Sequence, residues 1–180
     1  MIQTLHSQRL VLRPFSKADA AAIQNLANNK EVAGIIGLPQ PYLQEHAIDW
    51  IEIQPELIQL GTEYPLAIVE KKSNDLIGTI TLRVNKEHFK GELGYWIGRP
   101  YWGRGFATEA VKRMISFGFE DLELNKVWAS VLLRNKGSIA VLKKAGLFKE
   151  GILKQDRLIS GKYEDINLFG ILREDCSRNR

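Results

Sequence analysis

The chain has 180 residues, of which 44% are hydrophobic and 26% charged, a balance typical of one domain with a sizeable core. No apolar run approaches the roughly 20 residues of a membrane-spanning helix. The single cysteine, Cys176, excludes an intramolecular disulfide and a cysteine-based metal site, and it is typical of a reducing compartment. We predict a single domain over residues 1–180, with residues 172–180 as its C-terminal tail, in a cytoplasmic protein with no metal and no membrane partner.

The net charge of +4 is unevenly distributed, because residues 99–180 hold 16 Lys and Arg against 10 Asp and Glu. A positive field of this kind would steer an anionic ligand toward the second half of the chain, although a solvated basic face is the ordinary explanation. The sequence contains no basic run with interleaved aromatic residues and no helix-turn-helix or RNP-like segment. We therefore predict no nucleic-acid partner.

The first half of the chain predicts a short strand, two helices and a strand pair. Residues 9–13 alternate as a strand, and Ser16 with Asp19 has the spacing of a helix N-terminus ahead of residues 20–26. An amphipathic stretch at residues 47–53 predicts a second helix. Two segments rich in Ile, Val and Thr flank a polar turn and predict antiparallel strands, over residues 66–70 and 76–84.

The second half predicts alternating strands and helices. A strand over residues 92–98 leads through a glycine-containing loop into a helix beginning near Thr108, whose apolar residues recur at helical spacing. A strand, a helix ended by Gly146 as a left-handed cap, and a closing strand pair follow, over residues 127–133, 138–145, 148–157 and 162–172. We predict an α/β (α+β) fold with a mixed, mostly antiparallel central sheet flanked by helices on both faces.

The loop between that strand and helix reads Trp102-Gly103-Arg104-Gly105-Phe106-Ala107. Consecutive backbone N–H groups at the positive end of a helix suit a phosphate or pyrophosphate, although an ordinary glycine turn is the alternative. A dinucleotide fingerprint would need a third glycine where Thr108 stands, and an NTPase loop would end in Gly-Lys-Ser/Thr. Neither pattern is present, so the loop predicts a shorter phosphate cradle.

This loop resembles the pyrophosphate-binding signature of the GNAT N-acetyltransferase superfamily, Gln/Arg-x-x-Gly-x-Gly/Ala. Gly105 and Ala107 match it, and Trp102 stands at its first position. An aromatic-Trp-Gly-x-Gly loop is similar to that of the subgroup of ribosomal-protein serine/alanine N-acetyltransferases. Segments 5–14, 135–151 and 161–165 resemble further blocks of that subgroup in the same order.

The resemblance implies a GNAT-like fold and an enzyme that transfers acetyl directly from acetyl-CoA to a primary amine. The favoured acceptor is the α-amine of a protein or peptide N-terminus, whose pKa near ~8 demands less of a base than the ~10.4 of lysine. A polyamine or aminoglycoside-like acceptor, or a noncatalytic acyl-CoA-binding module, remains an alternative, and a homodimer stays open. The residues implied to bind acetyl-CoA are Trp96, Ile97, Gly103, Arg104, Gly105, Phe106, Ala107, Thr108, Asn135 and Ser138.

Glu92 is the leading general base, because the family resembled often places a carboxylate near the start of the strand that enters the glycine loop. A carboxylate paired with Lys90 or Arg83 is the alternative reading. The subgroup pattern also implies an acidic residue where this chain reads Asp156-Arg157. Either Asp156 substitutes as the base, or Glu92 acts alone, or the acceptor is itself acidic and binds Arg157.

Ser138 is the leading general acid for the departing thiolate. In many members of the family resembled, a tyrosine seven residues after the motif asparagine has this role, and that position is Leu142 here. The serine three residues after Asn135 matches the position used in the ribosomal-protein acetyltransferases, although Ser138 could equally cap its helix. Asn135 is expected to bind pantetheine amides, with a loop-capping role as its alternative.

Overall fold

An eight-stranded mixed sheet forms the centre of the computed structural model, which describes residues 4–159 and 161–178. The strands are β1 (Leu5–His6), β2 (Leu10–Arg13), β3 (Glu63–Glu70), β4 (Leu76–Asn85), β5 (Lys90–Ile97), β6 (Lys126–Leu132), β7 (Phe148–Ile159) and β8 (Lys162–Leu172). The α-helices are α1 (Ala20–Ala27), α2 (Lys30–Ile36), α3 (Gln44–Glu52), α4 (Gln54–Leu60), α5 (Phe106–Glu120), α6 (Lys136–Lys144) and α7 (Arg173–Arg178).

The strand order is β1-β2-β3-β4-β5-β6-β8-β7. Within the described part of the chain, β5 with β6 is the one parallel pair and the other neighbours are antiparallel. This confirms the predicted mixed, mostly antiparallel sheet.

Strands β5 and β6 pair only at their first residues and then diverge. The pairing runs from Lys90 opposite Lys126 to Glu92 opposite Trp128, whereas β5 continues to Ile97 and β6 to Leu132. Beyond Glu92, the edge of β5 that faces β6 therefore has no strand partner for its backbone N–H and C=O groups. The sheet is open at this point, and the glycine loop follows directly from the open end of β5.

Helices cover both faces of the sheet. On one face, α5 buries Ala110, Val111, Met114 and Gly118, which are members of the predicted helical stripe, against a core that includes Leu82 and Val127. On the other face, α1 and α3 pack Ile23, Ala47 and Ile51 on β3 and its neighbours. Burial of these apolar side chains is the main term that holds the layers together.

Two regions differ in detail from the sequence-based prediction. The stretch over residues 31–63 contains α2 and α4 in addition to the predicted second helix, which is α3. The predicted C-terminal tail, residues 172–180, begins as the last residue of β8 and continues as α7, from which Cys176 packs on the core. Residues 179–180 lie outside the described part.

A partly buried ion pair joins β2 to the start of α1. The Arg13 guanidinium donates to both carboxylate oxygens of Asp19 at 2.8 Å, and the backbone N–H of Ser16 donates to Asp19 Oδ2 at 2.7 Å. Burial raises the pKa of Asp19, but the hydrogen bonds from Arg13 and Ser16 and the Arg13 charge together outweigh it and leave the pKa lowered. Asp19 is therefore an ionised anchor for α1.

We expect Asp19→Asn to lower the free energy of unfolding by about 3 kcal/mol at pH 7, because Arg13 would keep a partly buried charge without its counter-ion. Since the folded-state pKa of Asp19 lies below its unfolded value near ~3.9, this stabilisation is present above that pH and is lost as the pH falls through the folded-state pKa. Urea unfolding across pH 2–7 measures the effect. Glu52→Gln, which breaks the exposed pair with Lys17, is the control and should change little. A loss for Asp19→Asn that is equal at every pH would contradict the assignment.

Candidate active site

Two cavities adjoin where β5 and β6 diverge. The first, about 590 Å³, is lined by the glycine loop and the starts of α5 and α6, and we call it the loop cavity. The second, about 620 Å³, lies over the sheet beneath α1 and α3, and we call it the strand cavity. Their walls share Ile35, Ile36, Tyr95, Trp96, Asn135 and Ser138.

The glycine loop presents a row of unpaired N–H groups to the loop cavity. Gly103 and Gly105 have φ of 73° and 80°, a left-handed conformation that glycine adopts without strain. Helix α5 begins at Phe106, and its first backbone bond runs from Glu109 N to Gly105 O at 3.1 Å. In the described structure, the N–H groups of residues 103–108 donate to no protein acceptor. Together with the helix dipole, they form a site for an anion.

A cluster on the outer side holds this loop in place. Glu109 Oε1 accepts from the Arg9 backbone N–H at 2.6 Å and from Ser7 Oγ at 2.8 Å, while Arg9 Nη1 donates to the carbonyl of Arg104 at 2.9 Å. Arg9 Nε also donates to Glu109 Oε2 at 2.7 Å. Burial raises the pKa of Glu109, but the hydrogen bonds from the Arg9 backbone, the Arg9 side chain and Ser7, together with the Arg9 charge, outweigh it and leave the pKa below its ordinary value. The β1–β2 turn is thereby tied to the first turn of α5.

All but one of the residues predicted to bind acetyl-CoA line the loop cavity. The exception is Arg104. Its guanidinium donates to Glu70 Oε1 at 3.0 Å and lies 4.6 Å from the centre of the Phe106 ring, so the side chain is turned away from the cavity. Three cationic side chains on the wall were not predicted from the sequence, Arg134, Lys136 and Lys144. Arg134 is paired with Glu164, whereas the positive charge of Lys136 and Lys144 suits a ligand with phosphate charges.

Ser138 and Tyr95 form a hydrogen-bonded pair at the junction of the cavities. Their hydroxyl oxygens lie 2.7 Å apart. Burial raises the pKa of Tyr95 to about 12, so the phenol is protonated at neutral pH. Sequence reasoning missed Tyr95 because a tyrosine in an apolar strand is typical of a core position.

Asn135, not Ser138, caps α6. Asn135 Oδ1 accepts from the backbone N–H of Ser138 at 3.1 Å. The alternative in which the Ser138 hydroxyl serves as the helix cap is therefore wrong, and that hydroxyl is free to act with Tyr95. The loop-capping role considered for Asn135 is present, and its amide also lines both cavities.

Glu92 lies in the strand cavity and is joined to Arg157 through a serine. Ser130 Oγ donates to Glu92 Oε1 at 3.4 Å, and Arg157 Nη2 donates to Ser130 Oγ at 2.6 Å. Arg83 stands opposite Glu92 in the β4–β5 register, but its ion pair is with Glu63 at 3.5 Å. Among residues 4–159 and 161–178, no ion pair involves Glu92, so the paired-carboxylate alternative is not observed.

An irregularity in β7 gives Asp156 and Arg157 different surroundings. Leu153 pairs with Ile166 and Arg157 with Glu164, so β7 accommodates two extra residues between these pairs. The exposed Asp156 belongs to this bulge and lines neither cavity, whereas Arg157 lines the strand cavity. Asp156 therefore does not face an amine bound in either cavity.

Helix α2 covers the junction of the two cavities. Its residues Ile35 and Ile36 line both of them, the Arg99 side chain forms an ion pair with Glu31, and Arg134 Nη2 donates to the carbonyl of Gly34 at 3.2 Å.

Within the described ranges, no group of three or more His, Cys, Asp or Glu could hold a metal ion. None of the described helices is long and apolar enough to cross a membrane.

Comparison with known proteins identifies the family. Residues 9–147 match the model of the acetyltransferase (GNAT) domain. Uncharacterized N-acetyltransferase p20 of Bacillus licheniformis is 31% identical over 97% of this chain and 98% of its own length. Spermidine N(1)-acetyltransferase of Vibrio cholerae is 27% identical over 93% of this chain and 95% of its own length. Ribosomal-protein-serine acetyltransferase of Escherichia coli is 29% identical over 54% of this chain and 55% of its own length.

A solved structure agrees with the sequence comparison. Spermidine N-acetyltransferase from Vibrio cholerae, in complex with CoA and spermine, superposes with a TM-score of 0.80 at 25% identity, covering 94% of this chain and 98% of that one. The loop cavity, with its unpaired amides and cationic wall, is suited to the pyrophosphate of such a donor. The chain thus belongs to the GNAT acetyltransferase family and is an acyltransferase that takes acetyl-CoA as its cosubstrate.

Proposed function

We propose that this enzyme transfers acetyl directly to the α-amine of a protein or peptide N-terminus. The observation that carries the proposal is the junction of the two cavities at Tyr95 and Ser138, with Glu92 in the strand cavity. A donor in the loop cavity and an amine in the strand cavity would meet there without a covalent enzyme intermediate.

The residues of the loop cavity fit the donor. The amides of residues 103–108 would hold the pyrophosphate, and Lys136 and Lys144 add positive charge around it. The unpaired edge of β5 beyond Glu92 offers backbone groups to the pantetheine amides. When bound, acetyl-CoA supplies an activated acetyl thioester.

Glu92 is assigned the base role. An amine that enters the strand cavity as an ammonium ion would give its proton to a carboxylate oxygen of Glu92, directly or through one water molecule. Ser130, which donates to the same carboxylate, fixes its orientation. A carboxylate base suits an α-amine better than a lysine side chain, because the α-amine is partly neutral at pH 7.

Ser138 is assigned the acid role, and Tyr95 positions it. The Ser138 hydroxyl would donate its proton toward the departing sulfur while accepting a hydrogen bond from the Tyr95 phenol. A protonated phenol, held by burial, is a donor across the whole working pH range. Either hydroxyl can donate in this pair, and the Tyr95 hydroxyl also donates to the backbone carbonyl of Ser138 at 3.3 Å. The acid role requires the arrangement in which the serine proton is directed to the sulfur.

A polyamine acceptor is the second candidate, because Asp49 lines the strand cavity in addition to Glu92 and could hold a second ammonium group. The likeness to spermidine acetyltransferases supports this reading, and the partial likeness to ribosomal-protein-serine acetyltransferase supports the first. Arg83 and Arg157 line the same cavity, and their charge opposes a polycation. We therefore favour the peptide α-amine.

An acceptor assay that records thiol release tests the proposed function. We expect peptides with a free N-terminus to react faster than Nα-blocked peptides containing lysine and faster than spermidine. Glu92→Gln should lower kcat by about 10²- to 10⁴-fold at pH 7 and recover at high pH, where the amine is already neutral. Spermidine as the best acceptor would contradict the acceptor assignment, and wild-type kcat in Glu92→Gln would contradict the base.

Leaving-group dependence tests Ser138 and Tyr95. Ser138→Ala should lower kcat by about 10²-fold with acetyl-CoA and much less with acetyl thiophenol, whose thiolate departs without protonation. Tyr95→Phe should show the same dependence with a smaller loss, because it removes only the hydrogen bond that orients the serine. Equal losses with both donors, or losses that follow a lowered melting temperature, would show that the two residues are only structural.

A further inference from the structure

We infer that the preferred acceptor carries a carboxylate close to its reactive amine, and that Arg157 binds this carboxylate. The inference rests on the proposed function, since it names the class of peptide that the strand cavity selects. An N-terminus with an acidic side chain in its first or second residue has this chemistry.

The first support is the partner of Arg157. Three other cations, on β4, on β7 and in the segment after β6, have carboxylate partners, in the pairs Arg83 with Glu63, Lys154 with Asp165 and Arg134 with Glu164. In the part of the chain that the structure describes, Arg157 bonds to a hydroxyl, Ser130 Oγ, and enters no ion pair. The guanidinium has further N–H donors that match a carboxylate.

The second support is the way the chain places Arg157. The bulge in β7 contains Gln155, with φ of 51°, whose backbone N–H donates to Asp165 Oδ1 at 2.9 Å, and Lys154 Nζ donates to Oδ2 of the same carboxylate at 2.8 Å. A bulge re-aims the side chains that follow it. Both Asp156 and Arg157 are exposed, but Arg157 lines the strand cavity and Asp156 lines neither cavity.

The third support is the position of Arg157 relative to Glu92. One hydroxyl, that of Ser130, separates the guanidinium from the carboxylate. An acceptor with an ammonium group at Glu92 and a carboxylate at Arg157 would span Ser130 and match both charges. A polyamine would bring a second positive charge to the same place, where Arg157 repels it.

Matched peptide amides test the inference through a ratio. With acceptors that differ only in Glu or Gln at the second residue, we expect wild-type kcat/KM to favour Glu by about 10-fold, mainly through KM. Arg157→Met should reduce that ratio to about 1 whichever way the absolute rates move, and Arg157→Glu should favour a Lys peptide. Arg157→Lys should restore part of the preference for Glu.

Lys149→Met is the matched control, because it removes one positive charge from the same strand at an exposed position that lines neither cavity. Lys149→Met should keep the wild-type ratio of kcat/KM for the Glu peptide to that for the Gln peptide. A wild-type ratio near 1, or an equal loss of the ratio in Lys149→Met, would overturn the inference while leaving the peptide acceptor intact. If no peptide is acetylated and spermidine is, the proposed function itself fails.

Discussion

The early end of the pairing between β5 and β6 is the constraint on which the rest of the site depends. Pairing stops at Glu92 and Trp128, so the sheet opens toward its glycine-loop end while its lower part stays continuous. The opening leaves room for two cavities that meet between the strands, and it leaves one edge of β5 unpaired. On the other side of β5, Gly78 on β4 allows the close approach of the two strands, since a side chain there would collide with the carbonyl oxygen of Trp96.

The charged side chains around the opening form two groups, one paired within the protein and one without an ion-pair partner in the described structure. On the outer side, Arg9 is neutralised by Glu109 and Arg104 by Glu70, so the glycine loop is held by ion pairs while its N–H groups face the cavity unpaired. On the sheet, Glu92 and Arg157 bind the same serine hydroxyl and not each other, which keeps both charges available to a ligand. Ser138 and Tyr95 lie between these two regions.

The sequence predicted those features of the fold and site that depend on short-range patterns. The glycine loop, the apolar stripe of α5 and the strand pairs follow from local spacing, and the structure has them close to the predicted residues. The features that the sequence did not predict depend on contacts between residues far apart in the chain. The direction of Arg104 depends on Glu70 across the molecule, and the choice between Asp156 and Arg157 depends on a bulge held by Asp165. Tyr95 gave no signal, because only its contact with α6 distinguishes it from a core tyrosine.

Thr108→Glu tests whether the unpaired amides at the start of α5 bind the pyrophosphate of acetyl-CoA. A carboxylate in the first turn of α5 favours the helix, so the free protein should unfold at an unchanged or higher temperature. Calorimetry should show acetyl-CoA affinity weakened by at least about 10-fold by charge repulsion, with Thr108→Gln near wild type. An unchanged Kd in folded Thr108→Glu protein would contradict the account.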